Sequence, residues 1–171
     1  MTDLNAHILL QTESPDETRA LGCCLGKLLQ PGDVVCLQGD LGSGKTCFTQ
    51  GIGAGMGVAG VINSPTFVFV NEHAPDNSGP YLYHVDLYRI CDLTEVLSLG
   101  LEDYMYGDGV TVIEWADRAA EMMPAQCLWV RLVYRDYTER RLAMDASGAR
   151  YVALLDALML DPTVSAARLE A

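Results

Sequence analysis

Eight consecutive residues, Gly39-Asp40-Leu41-Gly42-Ser43-Gly44-Lys45-Thr46, constrain this chain more than any other segment. They satisfy the pattern G-x-x-x-x-G-K-[ST] at every fixed position. Just before them stands Val34-Val35-Cys36-Leu37, a short continuous apolar run of the kind that a strand buried on both faces shows. Just after, from Lys45 to about Met56, Phe48 and Ile52 share one helical face until the glycines at 53, 55 and 57 weaken and end the pattern. A strand that turns through glycines into a helix is the setting this pattern requires. The glycines let backbone N–H groups converge on an anion, and the helix N-terminus turns its positive dipole end to the same charge. The segment therefore reads as a phosphate-binding loop. Lys45 is expected to reach the β and γ phosphates of a nucleotide, and the Thr46 hydroxyl to serve a magnesium ion.

The remaining pattern supplies a layout for that loop. Ser14-Pro15-Asp16-Glu17 is a capping box with proline at the first helical position, followed by Leu21, Leu25, Leu28 and Leu29, so a helix is predicted from about 15 to 30. Pro31-Gly32-Asp33 is a turn into the apolar strand. Further strands are predicted at Thr66 to Val70, Tyr81 to Val85 and Val110 to Ile113, with short helices at Leu93 to Leu99, Leu101 to Tyr106 and Ala116 to Met122. Leu128 to Tyr134 and Arg140 to Met144 read as a hairpin-like pair, and a last helix is predicted from about 150 to 160. Helices and strands alternate early and strands pair late. The expected fold is α/β, a P-loop NTPase-like three-layer arrangement in which a mixed, mostly parallel sheet carries helices on both faces. Residues 1–171 are expected to form one domain of this kind.

Charge narrows the function. The net charge is −12, and only Lys27 and Lys45 among the eleven basic residues are lysines. A protein that grips nucleic acid unaided needs a basic patch to release counterions, and the sparse set Arg131, Arg135, Arg140 and Arg141 is expected instead to decorate exposed strand positions. No apolar run is long enough for a membrane span, and Met1 to His7 do not read as a secretory signal, so the expected location is cytoplasmic. The six cysteines include no C-x-x-C pair and are read as reduced structural thiols.

Hydrolysis at such a loop also needs acids on neighbouring strand ends, to hold magnesium or its waters and to orient an attacking water. Asp86 ends the run Tyr81-Leu82-Tyr83-His84-Val85-Asp86, and Glu114 ends Val110-Thr111-Val112-Ile113-Glu114. Either is a candidate for the metal-associated carboxylate. Thr66, on the loop Ser64-Pro65-Thr66, is a candidate switch residue that senses a γ-phosphate or metal through its hydroxyl. His84 is expected to pack against the sheet face, and Trp115 to be either a core residue or an aromatic that reports on nucleotide or partner. A guanine-selecting Asn-Lys-x-Asp segment is absent, since no asparagine is followed by lysine.

The set made of the phosphate loop, Ser64-Pro65-Thr66-Phe67, His84-Val85-Asp86-Leu87-Tyr88-Arg89 and Ile113-Glu114-Trp115 closely resembles the bacterial TsaE (YjeE) family, in the family's order and over about residues 39 to 115. The combination is far more specific than the loop alone. The resemblance implies an ATPase required for threonylcarbamoyladenosine in tRNAs that read codons beginning with A, working with TsaB and TsaD, the second of which transfers the threonylcarbamoyl group. Carried over by position, Lys45 and Thr46 match the family's phosphate and magnesium ligands, Asp86 its acid in the His-x-Asp-Leu-Tyr-Arg motif, Glu114 its magnesium-holding acid that supports hydrolysis, and Thr66 its switch threonine. Cys47 stands where many members have a second threonine and closes the stretch, Gly39 to Cys47, expected to hold ATP. With so acidic a chain, tRNA is expected to be the substrate of the assembly rather than a direct ligand.

Overall fold

The computed structural model describes residues 4–65 and 69–170. It contains one seven-stranded sheet in the order β1-β7-β6-β2-β5-β4-β3. The strands are β1 (Asn5–Thr12), β2 (Val34–Gln38), β3 (Val70–His73), β4 (Leu82–Asp86), β5 (Val110–Glu114), β6 (Leu128–Tyr134) and β7 (Arg140–Ser147). The four central strands β6, β2, β5 and β4 run parallel, while β1–β7, β6–β7 and β3–β4 are antiparallel. All five residues of β5 and Val34 to Leu37 of β2 are buried, so the helices cover both faces of the sheet centre. This is the three-layer α/β architecture expected from the alternation of elements.

The helices are α1 (Pro15–Gly26), α2 (Lys45–Met56), α3 (Leu93–Ser98), α4 (Leu101–Met105), α5 (Ala149–Leu158) and α6 (Pro162–Ala166), with a 3-10 helix over Ala116–Met122. The capping box holds: Ser14 accepts from the Glu17 amide at 3.1 Å, and the Glu17 carboxylate accepts from the Glu13 amide at 2.8 Å. Helix α1 ends at Gly26, earlier than the predicted 30, with Lys27 as its C-cap. The chain is caught there by Arg150, which donates to the Leu28 carbonyl at 2.9 Å and to both oxygens of the buried Asp33 carboxylate.

Three other boundaries differ from expectation. Strand β1 had no counterpart in the sequence reading, β7 runs on to Ser147, and α6 follows α5. Strand β3 begins at Val70, and Thr66, with most of the strand predicted from it, lies outside the described residues. The described cysteines are free thiols, and all but Cys91 are at least partly buried.

Helices α1 and α2 approach until backbone meets backbone. A Cβ on Gly26 would overlap the Ile52 carbonyl, and one on Gly51 would overlap the Arg19 carbonyl. Gly51 and Gly55 of α2 are thus the surface on which α1 sits, whereas Gly53, which also read as a helix breaker, faces Ile62 and Leu82.

Candidate nucleotide site

Parallel strands bring their carboxyl ends to one edge of the sheet, and that edge is where this chain gathers its chemistry. β2 delivers the phosphate loop, β4 delivers Asp86 and β5 delivers Glu114. β6 reaches beyond β2, whose last register pair is Gln38 with Arg131, and its return through residues 135–139 therefore arrives at the same edge. A cavity of about 500 Å³ opens there. Its floor includes Gly44, Lys45, Thr46, Asp86 and Glu114. Leu41, Gly42 and Cys47 also border it, as do Thr138 and Arg140 from the hairpin.

The loop is built to leave amides free. Gly44, at φ 103°, is the residue before α2, and no side chain caps that helix, so its first N–H groups are available to an anion. Gly39 is crowded as well as strained, because a Cβ there would strike the Leu132 carbonyl and the Ser43 hydroxyl. Gly39, Asp40 and Ser43 hold the loop rather than border the cavity. The Lys45 ammonium donates to the Gly39 carbonyl at 2.6 Å and the Asp40 carbonyl at 2.9 Å, with the Ser43 hydroxyl at 3.4 Å. It also lies 3.9 Å from the centre of the Trp115 ring. Burial pulls the Lys45 pKa below its ordinary value, and the charges of Glu114 and Asp86 pull it back.

Thr46 links the loop to the acids. Its hydroxyl donates to Glu114 Oε2 at 3.1 Å and lies 2.7 Å from the Ser64 hydroxyl. Glu114 is 2% exposed. Its Oε1 lies 2.8 Å from His84 Nε2 and 3.4 Å from the Thr49 hydroxyl, whose shorter bond, 2.9 Å, goes to the Lys45 carbonyl. Asp86 accepts from the Tyr88 amide at 2.9 Å. Burial pushes the Asp86 carboxyl above its ordinary pKa, and the Glu114 charge adds to that rise. Cys47 donates its thiol to the Pro15 carbonyl at 3.3 Å, and burial pushes its pKa up.

Some of these contacts go beyond the sequence reading. His84 is buried as expected, but its ring is a partner of Glu114 rather than mere packing. Trp115 resolves toward the site: at φ 58° it is the only non-glycine residue with positive φ among those described, a geometry that costs on the order of 1–3 kcal/mol. Its ring meets Lys45 on one side and packs with Tyr88 at 5.0 Å and Arg118 at 5.2 Å. Arg140 corrects the view that its set only decorates exposed strands. It is half-buried, donates to the Gly42 carbonyl at 3.2 Å and stacks on Tyr134, because the hairpin returns to the loop. Arg131 and Arg135 are exposed as expected, although Arg135 lies in the turn.

Among the described residues, the hydroxyls of Thr46 and Ser64 and the carboxylates of Asp86 and Glu114 gather oxygen ligands at this corner of the cavity. That chemistry fits a hard cation such as magnesium, which takes one or two protein carboxylates and fills its shell with phosphate and water. Among the described residues no cluster of three or more His, Cys, Asp or Glu forms a closed metal cage, and no helix is long and apolar enough to cross a membrane.

Comparison with known proteins agrees with this arrangement. The sequence model of the family described as threonylcarbamoyl adenosine biosynthesis protein TsaE matches residues 12–142. The chain is 38% identical to the tRNA threonylcarbamoyladenosine biosynthesis protein TsaE of Bacillus subtilis strain 168, over 91% of this chain and 96% of that protein. It is 42% identical to the protein of that name from Mycobacterium tuberculosis H37Rv, over 75% of this chain and 80% of that one. The crystal structure of Bacillus subtilis YdiB superposes with a TM-score of 0.78 at 34% identity, covering 92% of this chain and 97% of YdiB. The matched span contains the phosphate loop, both strand-end acids and the turn from β6 into β7, and the chain belongs to the TsaE family.

Proposed function

We propose that this protein is an ATPase of tRNA threonylcarbamoyladenosine synthesis, acting in the cytoplasm with TsaB and TsaD on tRNAs that read codons beginning with A. The observation that carries the reading is the bond from the Thr46 hydroxyl to Glu114. It joins the residue that ends the phosphate loop to a buried acid on the next strand, the pairing that phosphoryl chemistry at such a loop requires.

In this reading the free amides of the first turn of α2 and the Lys45 ammonium hold the phosphates of ATP. Lys45 donates to the Gly39 and Asp40 carbonyls and to the Ser43 hydroxyl, so it exchanges at least one of these bonds for a phosphate oxygen when it stabilises charge on the β and γ phosphates. Thr46, Glu114 and Asp86 would hold magnesium, which when bound neutralises phosphate charge. Glu114 orients the attacking water and receives its proton. Thr66 serves as the switch that senses the γ-phosphate, and partner docking aligns the water. The net charge of −12 supports tRNA as a ligand of the assembly rather than of this subunit.

The test is ATP hydrolysis by the protein alone and with TsaB and TsaD, with Lys45→Ala as control. Activation by the partners that disappears in the variant is expected. Tight ATP binding with no hydrolysis in either setting would overturn the enzymatic reading.

A further inference from the structure

His84 is wholly buried, yet among the described residues it makes a single hydrogen bond, 2.8 Å from Nε2 to Oε1 of Glu114. Its other ring nitrogen, Nδ1, is buried with no hydrogen-bond partner among the described residues. The two facts together fix the hydrogen. A carboxylate accepts, so Nε2 carries the hydrogen, and a hydrogen on Nδ1 would be a buried donor without an acceptor. Evolutionarily cheaper apolar side chains fill such a place when only packing is needed, because a buried polar ring with half its capacity unmet costs stability. The ring therefore has a use at Glu114.

The geometry around that carboxylate shows the use. Oε1 is held from inside the sheet by His84 and Thr49, while Oε2 accepts from Thr46 at the cavity floor. With a bond at each oxygen the carboxylate is held in one orientation, its Oε2 directed at the loop. We propose that His84 is a positioning residue for Glu114: its Nε2–H pins Oε1 so that Oε2 is presented to the reacting end of the nucleotide. His84 is buried behind Glu114 and does not line the cavity, so it acts through Glu114. The kinetic part of this inference rests on the ATPase reading, and the hydrogen-bond part does not.

Two amide substitutions separate positioning from packing. Glutamine places its side-chain nitrogen at the same number of bonds from Cβ as Nε2, whereas asparagine places its nitrogen where Nδ1 lies. His84→Asn is expected to lower turnover by about 10- to 100-fold, the range for removing a group that orients a site ligand. Its nucleotide affinity, measured by equilibrium binding, is expected to stay within about threefold of the parent. His84→Gln is expected to keep several-fold more turnover than His84→Asn, and the gap between the two is expected to close in a Glu114→Gln background. Equal turnover in the two amide variants, or a gap that persists without the Glu114 carboxylate, would overturn the proposal. Ring 15N NMR of the unsubstituted protein covers the case in which a variant fails to fold or no hydrolysis is found. A hydrogen on Nε2 whose signal moves in Glu114→Gln is expected, and a hydrogen on Nδ1 would overturn the assignment. Lys45→Ala, scored for nucleotide binding in the same series, shows separately whether the loop reading itself has failed.

Discussion

Asp86 and Glu114 face each other as register partners at the carboxyl ends of adjacent parallel strands, so two acids share one corner of one cavity. Their surroundings divide them. Glu114 is enclosed by three side-chain partners, His84, Thr46 and Thr49, whereas Asp86 holds a backbone amide and opens more to the cavity. Glu114→Gln is expected to keep nucleotide affinity and lose turnover by about 100-fold or more, the span for a group that handles a proton in the transition state. Steady-state hydrolysis beside equilibrium nucleotide binding checks the split.

Asp86 is expected to trade stability for function. Burial raises its carboxyl pKa in the native state, so ionising it costs the fold something at neutral pH. Asn preserves the acceptor for the Tyr88 amide and carries no charge. Asp86→Asn should therefore be more stable than the parent at neutral pH, and the advantage should shrink as pH falls through the native pKa, where the parent is protonated too. Denaturant unfolding without magnesium, near pH 7 and again near pH 4, measures this. The same variant should hydrolyse ATP more slowly.

Trp115 predicts a spectroscopic handle. Its indole lies against the Lys45 ammonium, while the other tryptophan, Trp129, sits on β6 beside Cys36 of β2. Nucleotide binding is expected to change the emission of Trp115 and leave that of Trp129 nearly unaltered. Trp129→Phe should keep the nucleotide response and Trp115→Phe should lose it. Trp115→Ala is expected to weaken nucleotide binding by roughly 10- to 30-fold, since a cation–π contact to a buried ammonium such as that of Lys45 is worth about 2 kcal/mol.

The elements that the sequence disclosed are those written in local pattern. The phosphate loop follows from fixed spacing, α1 from its capping box, and Glu114 and Asp86 from their places at the ends of apolar runs. What stayed hidden depends on partners distant in the chain. β1 is an edge strand whose half-exposed alternation becomes a strand only against β7, about 140 residues away. Arg140 reaches the loop because β6 outruns β2, a matter of register that no window of sequence contains. The left-handed backbone at Trp115 and the bond from His84 to Glu114 are likewise products of assembly, as is the role of the α2 glycines. Thr66 is outside the described residues, and its role rests on its place in the sequence and on the resemblance.

Those glycines give a prediction whose sign is opposite to the usual one. An alanine in place of a helical glycine ordinarily stabilises, by about 1 kcal/mol. At Gly51 the added methyl would strike the Arg19 carbonyl of α1, and at Gly55 the Cys23 carbonyl. Gly51→Ala is expected to destabilise by about 1–3 kcal/mol through overpacking. Because α2 starts at Lys45, nucleotide affinity should fall in the same variant. Thermal unfolding together with equilibrium binding reads both effects.

Tyr151 ties stability to alkaline pH. Its buried hydroxyl accepts from the Val34 amide at 2.8 Å, fastening α5 to the start of β2 just before the phosphate loop. Burial pushes the phenol up to about 12 from its ordinary value of 10.0, with the Val34 bond opposing that rise. The native state therefore keeps this proton where the unfolded chain gives it up. Its contribution is complete below about pH 10 and is lost as pH rises toward about 12, on the order of 3 kcal/mol across the whole interval. Tyr151→Phe removes this dependence and leaves the Val34 amide without its acceptor, at a cost of about 1–3 kcal/mol at neutral pH. Urea unfolding of both proteins from about pH 8 to about pH 11.5 should show the parent starting more stable and falling more steeply, so that the gap between them narrows as the phenol titrates. Parallel curves would mean that the phenol loses its proton equally in both states and that the Val34 contact carries no pH-linked stability.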